Sequence, residues 1–550
     1  MRAGELIEPI DSSQLRKSRG AFFTPDSISR YIADWAIRNP EDLVLEPSAG
    51  EAAFLTKAVA RLNSLGVARP IVAGVEIHGP SARMATQAVE LAGGTCEMEV
   101  ADFFTVDPKP LFDAVIGNPP YIRYQDFTGE PRTRSRESAL RAGVSLTALA
   151  SSWAAFTIHA SLFLRPEGRL GLVLPAELLS VNYAAPVRRF LLERFSRVRL
   201  VLFERQVFPD AEADVVLLLA EGFGAGPTGH AEVQQSQTAD SLESLDDPLV
   251  WTPPDPGGKW TGLLVDPEAI EPLRSLIERR HFGHLGDWGD TTLGMVTGNN
   301  GYFTLSPQRV AELGLDNADL LKLSPPGSSH LRGLRLSREA VKRLGEEGRQ
   351  TWLFYPQDEL SESARQYVET GETAGVDQAY KCRVRKPWYR VPLVRPADLL
   401  LTCMNADTPR LTTNDAKVRH LNSVHGVYLN QDVRELGRDL LPIASLNSVT
   451  LLNAEMVGRS YGGGILKIEP READVWALPS PELVAHRETS LRSLKSRVSR
   501  LLREGRLMDA IGVVDEVLFG RLVKTRELEQ VRAAHRAMTA RRMTRGRSGR

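Results

Sequence analysis

Short apolar runs alternate with stretches of helical spacing between about residues 41 and 220. The runs that read as strands are "DLVLEP", "PIVAGVEI", "CEMEVADF", "FDAVIGNPP", "GRLGLVLP", "VRLVLF" and "DVVLLLAE". Such alternation predicts a parallel sheet with helices on both faces. The last two runs are separated by only about ten residues, too few for a helical crossover. They are therefore predicted to form an antiparallel hairpin at one edge of the sheet.

The pattern changes after this rhythm ends and predicts three more segments beyond a first domain of residues 1–237. Residues 238–259 are rich in Asp, Pro and Gly without sustained periodicity, and residues 238–281 are predicted to be a linker. Residues 282–480 hold many Gly, Pro, Trp and Tyr without strand and helix alternation, which indicates a separate mixed domain. Residues 481–550 regain helical spacing and end in the basic stretch "HRAMTARRMTRGRSGR", expected to be disordered.

Composition adds limits on partners and compartment. A length of 550 residues suggests two to four domains at ~150 residues each. The net charge of -1 means that any nucleic-acid surface must be local. Cys96, Cys382 and Cys403 are far apart and lack metal-ligand spacing, which argues against a zinc site or disulfides and favours a reducing cytoplasm. The chain has neither a signal-peptide core nor a run of ~18 apolar residues, so we expect no export and no membrane span.

Small residues follow the first predicted strand in "LVLEPSAGEAAFL", residues 43–55. Ser48, Ala49 and Gly50 allow the backbone to approach a ligand closely. The helix that follows presents free amides, which favour an anionic group such as a carboxylate. This loop therefore predicts a ligand site.

Acidic residues end three successive predicted strands, where a doubly wound sheet binds nucleosides. Glu46 ends the first, Glu76 ends the second at a position suited to two ribose hydroxyls, and Asp102 follows the third. Asp102 is placed to accept from an adenine amine, with Phe103 against the ring. Together these positions predict a nucleoside cofactor.

The fourth strand stops at Asn118-Pro119-Pro120-Tyr121. The amine of a purine is a weak nucleophile because its lone pair is delocalised, and two acceptors on its N–H bonds free that pair and stabilise the developing positive charge. The Asn118 side-chain oxygen and the Pro119 carbonyl are the candidate acceptors, in a turn that proline makes rigid and poor in donors. Tyr121 offers a π face to the base. A methyl on a sulfonium is already activated, so the reaction requires placement and no metal. The simpler alternative is a structural turn with Tyr121 in the core.

These motifs together resemble the S-adenosylmethionine-dependent amino-methyltransferases, specifically the gamma-class DNA N6-adenine methyltransferases of restriction-modification systems. The resemblance covers nearly the whole chain. It implies an α/β fold, a Rossmann-like methyltransferase sheet with an antiparallel edge hairpin followed by a mixed α/β C-terminal target-recognition domain. One position departs from the pattern, because relatives often have Gly where Ala52 stands in "SAGEAAF".

The resemblance also implies the roles of individual residues. The upstream "GAFFTP" and the downstream "VFPDAEADVVLLLA" resemble a segment that closes over the cofactor and the block whose Phe stacks on an extruded adenine. An extruded adenine implies that the target nucleotide is flipped out of the duplex. Flipping costs a few kcal/mol of base stacking, and stacking on aromatic side chains, at about 1 to 3 kcal/mol per base, recovers part of that cost. The implied catalytic residues are Asn118, Pro119, Pro120, Tyr121 and Phe208. The implied cofactor-binding residues are Phe23, Thr24, Pro25, Glu46, Pro47, Ser48, Ala49, Gly50, Glu76, Ile77, Asp102, Phe103 and Asn118.

Two basic segments are candidates for binding DNA. "YKCRVRKPWYRVP" interleaves cations with aromatic rings, as a surface that grips phosphates and stacks on bases would, and together with "SYGGGILKIEP" and "LGMVTGNNGYF" it resembles target-recognition blocks. "IRYQDFTGEPRTRSRESALRAG" is predicted to be a mobile loop that becomes ordered on DNA. An ordinary solvated charged surface is the alternative for both segments. The candidate DNA-binding residues are Arg123, Arg132, Arg134, Lys381, Arg383, Arg385, Lys386, Trp388, Tyr389 and Arg390.

Other functions stay open at this point. Protein-glutamine or RNA-adenine methyltransferases also act on a planar amine, and a DNA-binding module with a degenerate cofactor fold is a nonenzymatic alternative. A fused nuclease is disfavoured, because the predicted fold begins almost at residue 1 and "NDAK" at 414–417 is only a partial nuclease signature. The expected partners are double-stranded DNA and a separately encoded restriction endonuclease. The protein is expected to act as a monomer at the bacterial nucleoid.

Overall fold

The structure is a computed structural model that describes residues 24–203, 207, 215–253, 255–461 and 463–547, without the side chains of 544–547. The chain divides into two compact units between Leu263 and Leu264. This boundary lies inside the segment predicted to be a linker. That segment is more ordered than predicted, since a strand and a helix described below lie in it.

A sheet of nine described strands forms the centre of the first unit. Its strand order is β3-β2-β1-β4-β5-β7-β6-β8-β9. The strands are β1 Val44–Glu46, β2 Ile71–Glu76, β3 Thr95–Val100, β4 Phe112–Gly117, β5 Leu164–Pro175, β6 Phe195–Phe203, β7 Val215–Phe223, β8 Ala231–Ser236 and β9 Leu249–Trp251.

Strands β1 to β5 run parallel to one another, which confirms the predicted fold class. Strands β6 and β7 pair antiparallel, as the short connection between them predicted. Strand β7 lies between β5 and β6, and β8 and β9 extend the sheet beyond this hairpin. The hairpin is therefore not the outermost pair. "AEVQQS" and "LVW" are too short and too polar to be recognised as strands from their pattern.

Helices cover the sheet where their apolar residues recur at helical spacing. In the first of them, Ile28, Ile32 and Ala36 recur every fourth residue and are buried. The helices of this unit are α1 Asp26–Ala36, α2 Leu55–Ser64, α3 Gly79–Leu91, α4 Gly129–Arg141, α5 Ser152–Ser161, α6 Glu177–Ser180 and α7 Ala185–Arg194. Short 3-10 turns are Phe103–Thr105, Asn182–Ala184 and Ala239–Ser244.

The chain order reverses between β1 and β4, which are neighbours in the sheet. A crevice at such a reversal is where open α/β sheets bind ligands. Leu45 is in register with Val115, so the loop after β1 and the turn after β4 start side by side. A Cβ added at Gly117 would lie 3.6 Å from Glu46 Cγ, which shows how closely the two strand ends approach.

The second unit is a mixed domain built from several small sheets and many helices, as predicted for the C-terminal half. Its strands are β10 Phe282–His284, β11 Gly289–Leu293, β12 Thr304–Leu305, β13 Leu320–Lys322, β14 Trp352–Phe354, β15 Leu399–Thr402, β16 Met404–Asn405, β17 Leu411–Thr413, β18 Val424–Leu429, β19 Arg459–Tyr461, β20 Ile465–Lys467 and β21 Ala477–Pro479. Its helices are α8 Pro267–Glu278, α9 Leu285–Trp288, α10 Asn300–Phe303, α11 Pro307–Glu312, α12 Arg338–Glu346, α13 Glu362–Thr373, α14 Tyr380–Arg383, α15 Arg434–Ala444, α16 Ser448–Val457, α17 Pro470–Asp474, α18 Pro481–His486, α19 Glu488–Arg503, α20 Leu507–Phe519 and α21 Thr525–Arg547.

The C-terminal helices pack into the core of this unit and do not form a separate segment. Trp288, Leu452 and Val514 belong to one buried cluster that joins α9, α16 and α20. The basic stretch expected to be disordered is instead part of α21 through Arg547. Arg542 is buried there and donates two hydrogen bonds to the Glu455 carboxylate, at 3.0 and 2.8 Å. The Arg542–Glu455 contact joins residues that are far apart in the sequence, so the basic composition of the C-terminal stretch alone does not reveal it.

No single helix in the described ranges is long and apolar enough to cross a membrane. Helices α15 and α16 meet that criterion only when joined, and they are bent by 90° relative to each other. Both helices contribute buried residues to the core just described.

Candidate active site

The turn after β4 holds Asn118 in a defined orientation. The Tyr121 hydroxyl lies 2.7 Å from Asn118 Oδ1 and 2.9 Å from the Val173 carbonyl oxygen, and its single proton serves one of them at a time. Asn118 Nδ2 donates to Thr24 Oγ1 at 3.2 Å. The amide oxygen therefore faces Tyr121 and the amide nitrogen faces Thr24. Because an amide oxygen has two lone pairs, Asn118 Oδ1 keeps acceptor capacity beyond this bond.

Tyr121 is fixed by its hydroxyl and by packing. Its ring is half-buried and lies against the hydrophobic core of the first unit. Burial raises the pKa of Tyr121 well above its ordinary value, so the phenol stays a neutral donor. Tyr121 thus contacts the core, as in the structural alternative, and its hydroxyl also holds Asn118, a contact that was not predicted from the sequence.

Ser152 holds the turn and was not identified from the sequence. Its hydroxyl donates to the Pro120 carbonyl and accepts from the Ile122 backbone N–H at 2.9 Å. Its own backbone N–H donates to the Ile122 carbonyl at 3.1 Å. Ser152 begins the buried helix α5 and lies thirty residues beyond the turn, so no local pattern indicates the contact.

The two proline carbonyls of the turn differ in their availability. The Pro120 carbonyl accepts from Ser152. Among the described residues, none donates a hydrogen bond to the Pro119 carbonyl. The carbonyl predicted to accept from an amine is therefore the one left available.

The loop after β1 is tied to the end of β2. The Glu76 carboxylate accepts from the Gly50 backbone N–H and the His78 backbone N–H, each at 2.8 Å. Gly50 has a φ of +51°, and a Cβ added there would meet no atom within 4 Å, so the space in front of the loop is open. Beside Glu76, the apolar side chain of Ile77 is 62% exposed. The predicted cofactor residues Gly50, Glu76 and Ile77 are thus brought to one place.

Glu46 has a structural role that the sequence did not indicate. It is buried and accepts from the Leu55 backbone N–H at 3.0 Å, which caps helix α2. Burial raises the pKa of Glu46 well above its ordinary value, and the nearby negative charge of Glu76 acts in the same direction.

Ala52, the position that departs from the family pattern, has a φ of +66°. That left-handed conformation costs a residue with a Cβ roughly 1–2 kcal/mol and costs glycine little. The backbone of this loop therefore explains why glycine suits this position. Of the neighbouring predicted cofactor residues, Pro47 and Ala49 are buried and Ser48 is half-buried.

Asp102 and Phe103 are placed differently from each other. Asp102 Oδ1 accepts from the Phe104 backbone N–H at 3.1 Å, and Asp102 Oδ2 lies 3.7 Å from Arg134 Nη1. The Phe103 ring is only 5% exposed and packs against Phe156 and His159, with centroids 4.8 and 4.7 Å apart. Phe103 was expected to lie against an adenine ring. Its ring is instead buried in a cluster of aromatic side chains.

The segment predicted to be a mobile loop contains helix α4. Its Arg, Glu, Ala and Leu residues are good helix formers, and their charges alone suggested a loop. Arg132 donates to the backbone carbonyls of Tyr124 and Phe127, and Arg134 pairs with Glu130 as well as with Asp102. Arg132 and Arg134, two of the predicted DNA-binding arginines, therefore contact their own chain. The side chain of Arg123 is exposed.

Two predicted residues, Phe23 and Phe208, lie outside the described residues. Of the upstream motif, Thr24 contacts Asn118 as stated above, and Pro25 is the N-cap residue of α1. The structure thus brings Thr24 of the upstream motif to the turn after β4.

The residues of the basic and aromatic segment "YKCRVRKPWYRVP" fall into two groups, those that contact their own chain and those that are exposed. Arg385 donates to the Thr297 carbonyl at 2.7 Å, and Arg390 pairs with Asp358 at 2.7 Å. Trp388 donates to Glu372 at 3.0 Å and has Tyr389 packed edge-on against its ring. The remaining three residues are exposed and form no ion pair with any described residue; these are Lys381, Arg383 and Lys386.

The "NDAK" segment has a structural explanation. Asn414 is fully buried, and its side chain bonds to the carbonyls of Ala397 and Val418 at 3.0 and 2.9 Å. Asp415 pairs with Arg335 at 2.6 Å. These residues hold a turn of the second unit together.

Two family models match the chain, one in each half. A model described as N-6 DNA Methylase matches residues 10–222. A model described as Type II methyltransferase M.Eco57I, C-terminal domain, matches residues 257–519.

Similar proteins agree with these models. Type II methyltransferase M.XamI of Xanthomonas campestris pv. amaranthicola is 26% identical over 87% of this chain and 88% of its own length. Type II methyltransferase M.AccI of Acinetobacter calcoaceticus is 22% identical over 84% of this chain and 85% of its own length. The Type IIL restriction-modification enzyme MmeI, whose structure was solved with DNA, has the same fold at a TM-score of 0.60 and 11% identity, covering 94% of this chain and 75% of that one.

Proposed function

The chain belongs to the Type II methyltransferases of restriction-modification systems, and on that basis we propose that it transfers a methyl group from S-adenosylmethionine to the N6 amine of a flipped adenine in double-stranded DNA. In this proposal the first unit is the methyltransferase domain and the second is the target-recognition domain. The observation that carries the proposal is the turn after β4, where Asn118 Oδ1 and the Pro119 carbonyl are both available as acceptors beside the loop after β1.

The residues along the strand ends fit the cofactor. Gly50 leaves open space in front of the loop, and the exposed Ile77 offers an apolar contact beside Glu76. The Glu76 oxygens each accept one backbone N–H and retain lone pairs for ribose hydroxyls. Asp102 is a candidate acceptor for the adenine amine of the cofactor, in competition with Arg134. When bound, S-adenosylmethionine supplies a methyl group already activated on a sulfonium.

The turn residues act on the target amine. Asn118 Oδ1 and the Pro119 carbonyl accept its two N–H bonds, which directs the nitrogen lone pair toward the methyl carbon. A cofactor held along the strand ends by Gly50 and Glu76 would supply the methyl group to this nitrogen, and its sulfonium would become a neutral thioether. The amine then carries a positive charge, which the two oxygens stabilise until one proton leaves to solvent. Tyr121 and Phe208 are proposed to hold the base between them.

Nucleoside mass spectrometry tests this function. Purified protein is incubated with unmethylated plasmid and S-adenosylmethionine, and the DNA is digested to nucleosides. N6-methyldeoxyadenosine is the expected product. N4-methyldeoxycytidine as the sole product would correct the target base, and no methylated nucleoside in DNA, with methyl transfer to RNA or to protein glutamine, would favour the alternative amino-methyltransferases.

We also propose the context of this activity. The protein acts on DNA as a monomer in the bacterial cytoplasm, at the nucleoid, and protects sites cut by a separately encoded restriction endonuclease. The support is the family, whose members belong to restriction-modification systems. Incubation of the protein with plasmid and Mg²⁺ distinguishes this assignment from a fused nuclease, since site-specific breaks would contradict it.

A further inference from the structure

A short basic ridge projects from the second unit. The α14 ridge consists of five exposed side chains on α14 and the turn after it: Tyr380, Lys381, Arg383, Val384 and Lys386. Tyr380 is 65% exposed and Val384 is 62% exposed. Large apolar side chains with that exposure, flanked by charged ones, mark interaction sites when they are grouped.

The α14 ridge is held on a rigid base. Between its exposed residues, Cys382 is buried, with its thiol 3.7 Å from the Thr297 carbonyl oxygen. Arg385 donates to the carbonyls of Thr297 and Val296 at 2.7 and 2.5 Å. Gly298 has a φ of +91°, and a Cβ added there would lie 3.0 Å from Lys381 Cβ, so the supporting loop lies directly against the ridge. The exposed side chains are therefore presented by a fixed backbone.

The cations of the α14 ridge have no anionic partner among the described residues, and Lys381 Nζ lies 5.5 Å from the centroid of the Tyr380 ring in the same ridge. Lys381, Arg383 and Lys386 form no ion pair within the described ranges, whereas the neighbouring Arg385 and Arg390 bind their own chain. Three uncompensated cations within six residues fit a polyanion, and in a chain of net charge -1 they are a local feature. The core of a protein docking surface is instead depleted of lysine.

We propose that the α14 ridge docks against the DNA duplex, with Lys381, Arg383 and Lys386 on phosphates and the Tyr380 ring and Val384 against the groove edge between them. This inference rests on the proposed function, because it takes DNA as the partner. Within the segment "YKCRVRKPWYRVP" it assigns DNA contact to the exposed residues only and not to those that bind their own chain. Arg385, Trp388 and Arg390 support the ridge and do not touch DNA.

Salt dependence of binding tests the three cations. A fluorescein-labelled duplex of mixed sequence is titrated with full-length protein at several salt concentrations, for the wild type and for Lys381→Gln, Arg383→Gln and Lys386→Gln combined. Each phosphate contact contributes about 0.9 to the slope of log K against log salt, so the triple variant should be shallower by about 2.7. Tyr380→Ser removes no charge and should weaken binding by about fivefold or more with an unchanged slope.

Helix α12 supplies a matched control. Arg338, Lys342 and Arg343 are also exposed cations on the second unit, but Glu339 and Glu346 lie on the same helix. Changing these three to Gln removes the same charge and should leave the salt slope within about 1 of the wild-type value.

The outcomes separate the α14 ridge from the proposed function. Ridge variants that bind DNA like the wild type, while adenine methylation persists, would overturn the ridge and leave the function standing. A wild-type protein that neither binds DNA nor methylates it would overturn the function. If the ridge variants change the oligomeric state on a sizing column and not DNA affinity, the ridge joins two copies of this chain and the inference is wrong.

Discussion

Ser152→Ala is the substitution that most directly tests how the turn after β4 is held. It removes the hydroxyl that donates to the Pro120 carbonyl and accepts from the Ile122 N–H, and it leaves the Ser152 backbone bond intact. Each lost hydrogen bond is worth about 0.5–1.5 kcal/mol net, which gives roughly 1–3 kcal/mol for the two. Pro120 and Ile122 are half-buried, so water can replace part of the loss and about 1–2 kcal/mol is expected.

The same change should slow methyl transfer without weakening the cofactor. If the loosened turn must be reordered for reaction, a cost of about 1.4 kcal/mol lowers the single-turnover rate about tenfold. Denaturant unfolding measures stability, single-turnover methylation measures the rate, and equilibrium titration measures the affinity for S-adenosylmethionine. The expected pattern is a moderate loss of stability, a slower reaction and an unchanged Kd.

Ser161→Ala is the matched control for this experiment. Ser161 is buried in the same helix, and its hydroxyl donates only to the Thr157 carbonyl at 2.9 Å, away from the turn. It should lose little activity. A single-turnover rate for Ser152→Ala equal to that of Ser161→Ala would refute the idea that Ser152 positions the turn.

Substitutions at two residues, Glu46 and Ala52, test the loop after β1. Burial raises the pKa of Glu46 in the folded protein, whereas the unfolded chain releases this proton at about pH 4.3. Above that pH the folded state therefore binds more protons than the unfolded state, and the free energy of unfolding should fall as the pH rises. The fall is at most about 1.4 kcal/mol per pH unit and ends when the folded carboxyl also ionises. Glu46→Gln should flatten that dependence in denaturant titrations at several pH values, and an unchanged slope would contradict the assignment to Glu46. Ala52→Gly removes the cost of a left-handed φ, roughly 1–2 kcal/mol. The same change loses a buried methyl group and gives the unfolded chain more conformational entropy, and both effects oppose the gain. The free energy of unfolding should therefore stay within about 1 kcal/mol of the wild-type value. Ala52→Val places a β-branched side chain in the same left-handed conformation and should lose clearly more stability than Ala52→Gly. Equal melting temperatures for the Val and Gly variants would refute the idea that the backbone at residue 52 is strained.

Much of the first unit was predictable because its information is local. Each parallel strand is a short apolar run, and the residues at the strand ends follow directly from where those runs stop. Asn118 and Gly50 could be placed near each other from the fold class alone, since carboxyl ends of parallel strands share one edge. The antiparallel pairing of β6 and β7 followed from the length of one connection.

The features that were missed depend on contacts between distant residues. Ser152 reaches a turn thirty residues earlier, and Arg542 is buried by Glu455, 87 residues away. Phe103 ends in an aromatic cluster supplied by α5, and the arginines of α4 pair with their own chain. Charge on a segment shows that it can be exposed, but its partners are set by the tertiary structure.

The most direct test of adenine methylation through Asn118 is to express this protein in a host that lacks adenine methylation and to sequence the genome of that host for modified bases. Single-molecule sequencing should show N6-methyladenine at one recognition sequence with the wild type and none with Asn118→Ala, although the variant still binds S-adenosylmethionine and folds. Full methylation by the Asn118→Ala variant, or a genome without modified adenine in the presence of folded wild-type protein, would contradict the account.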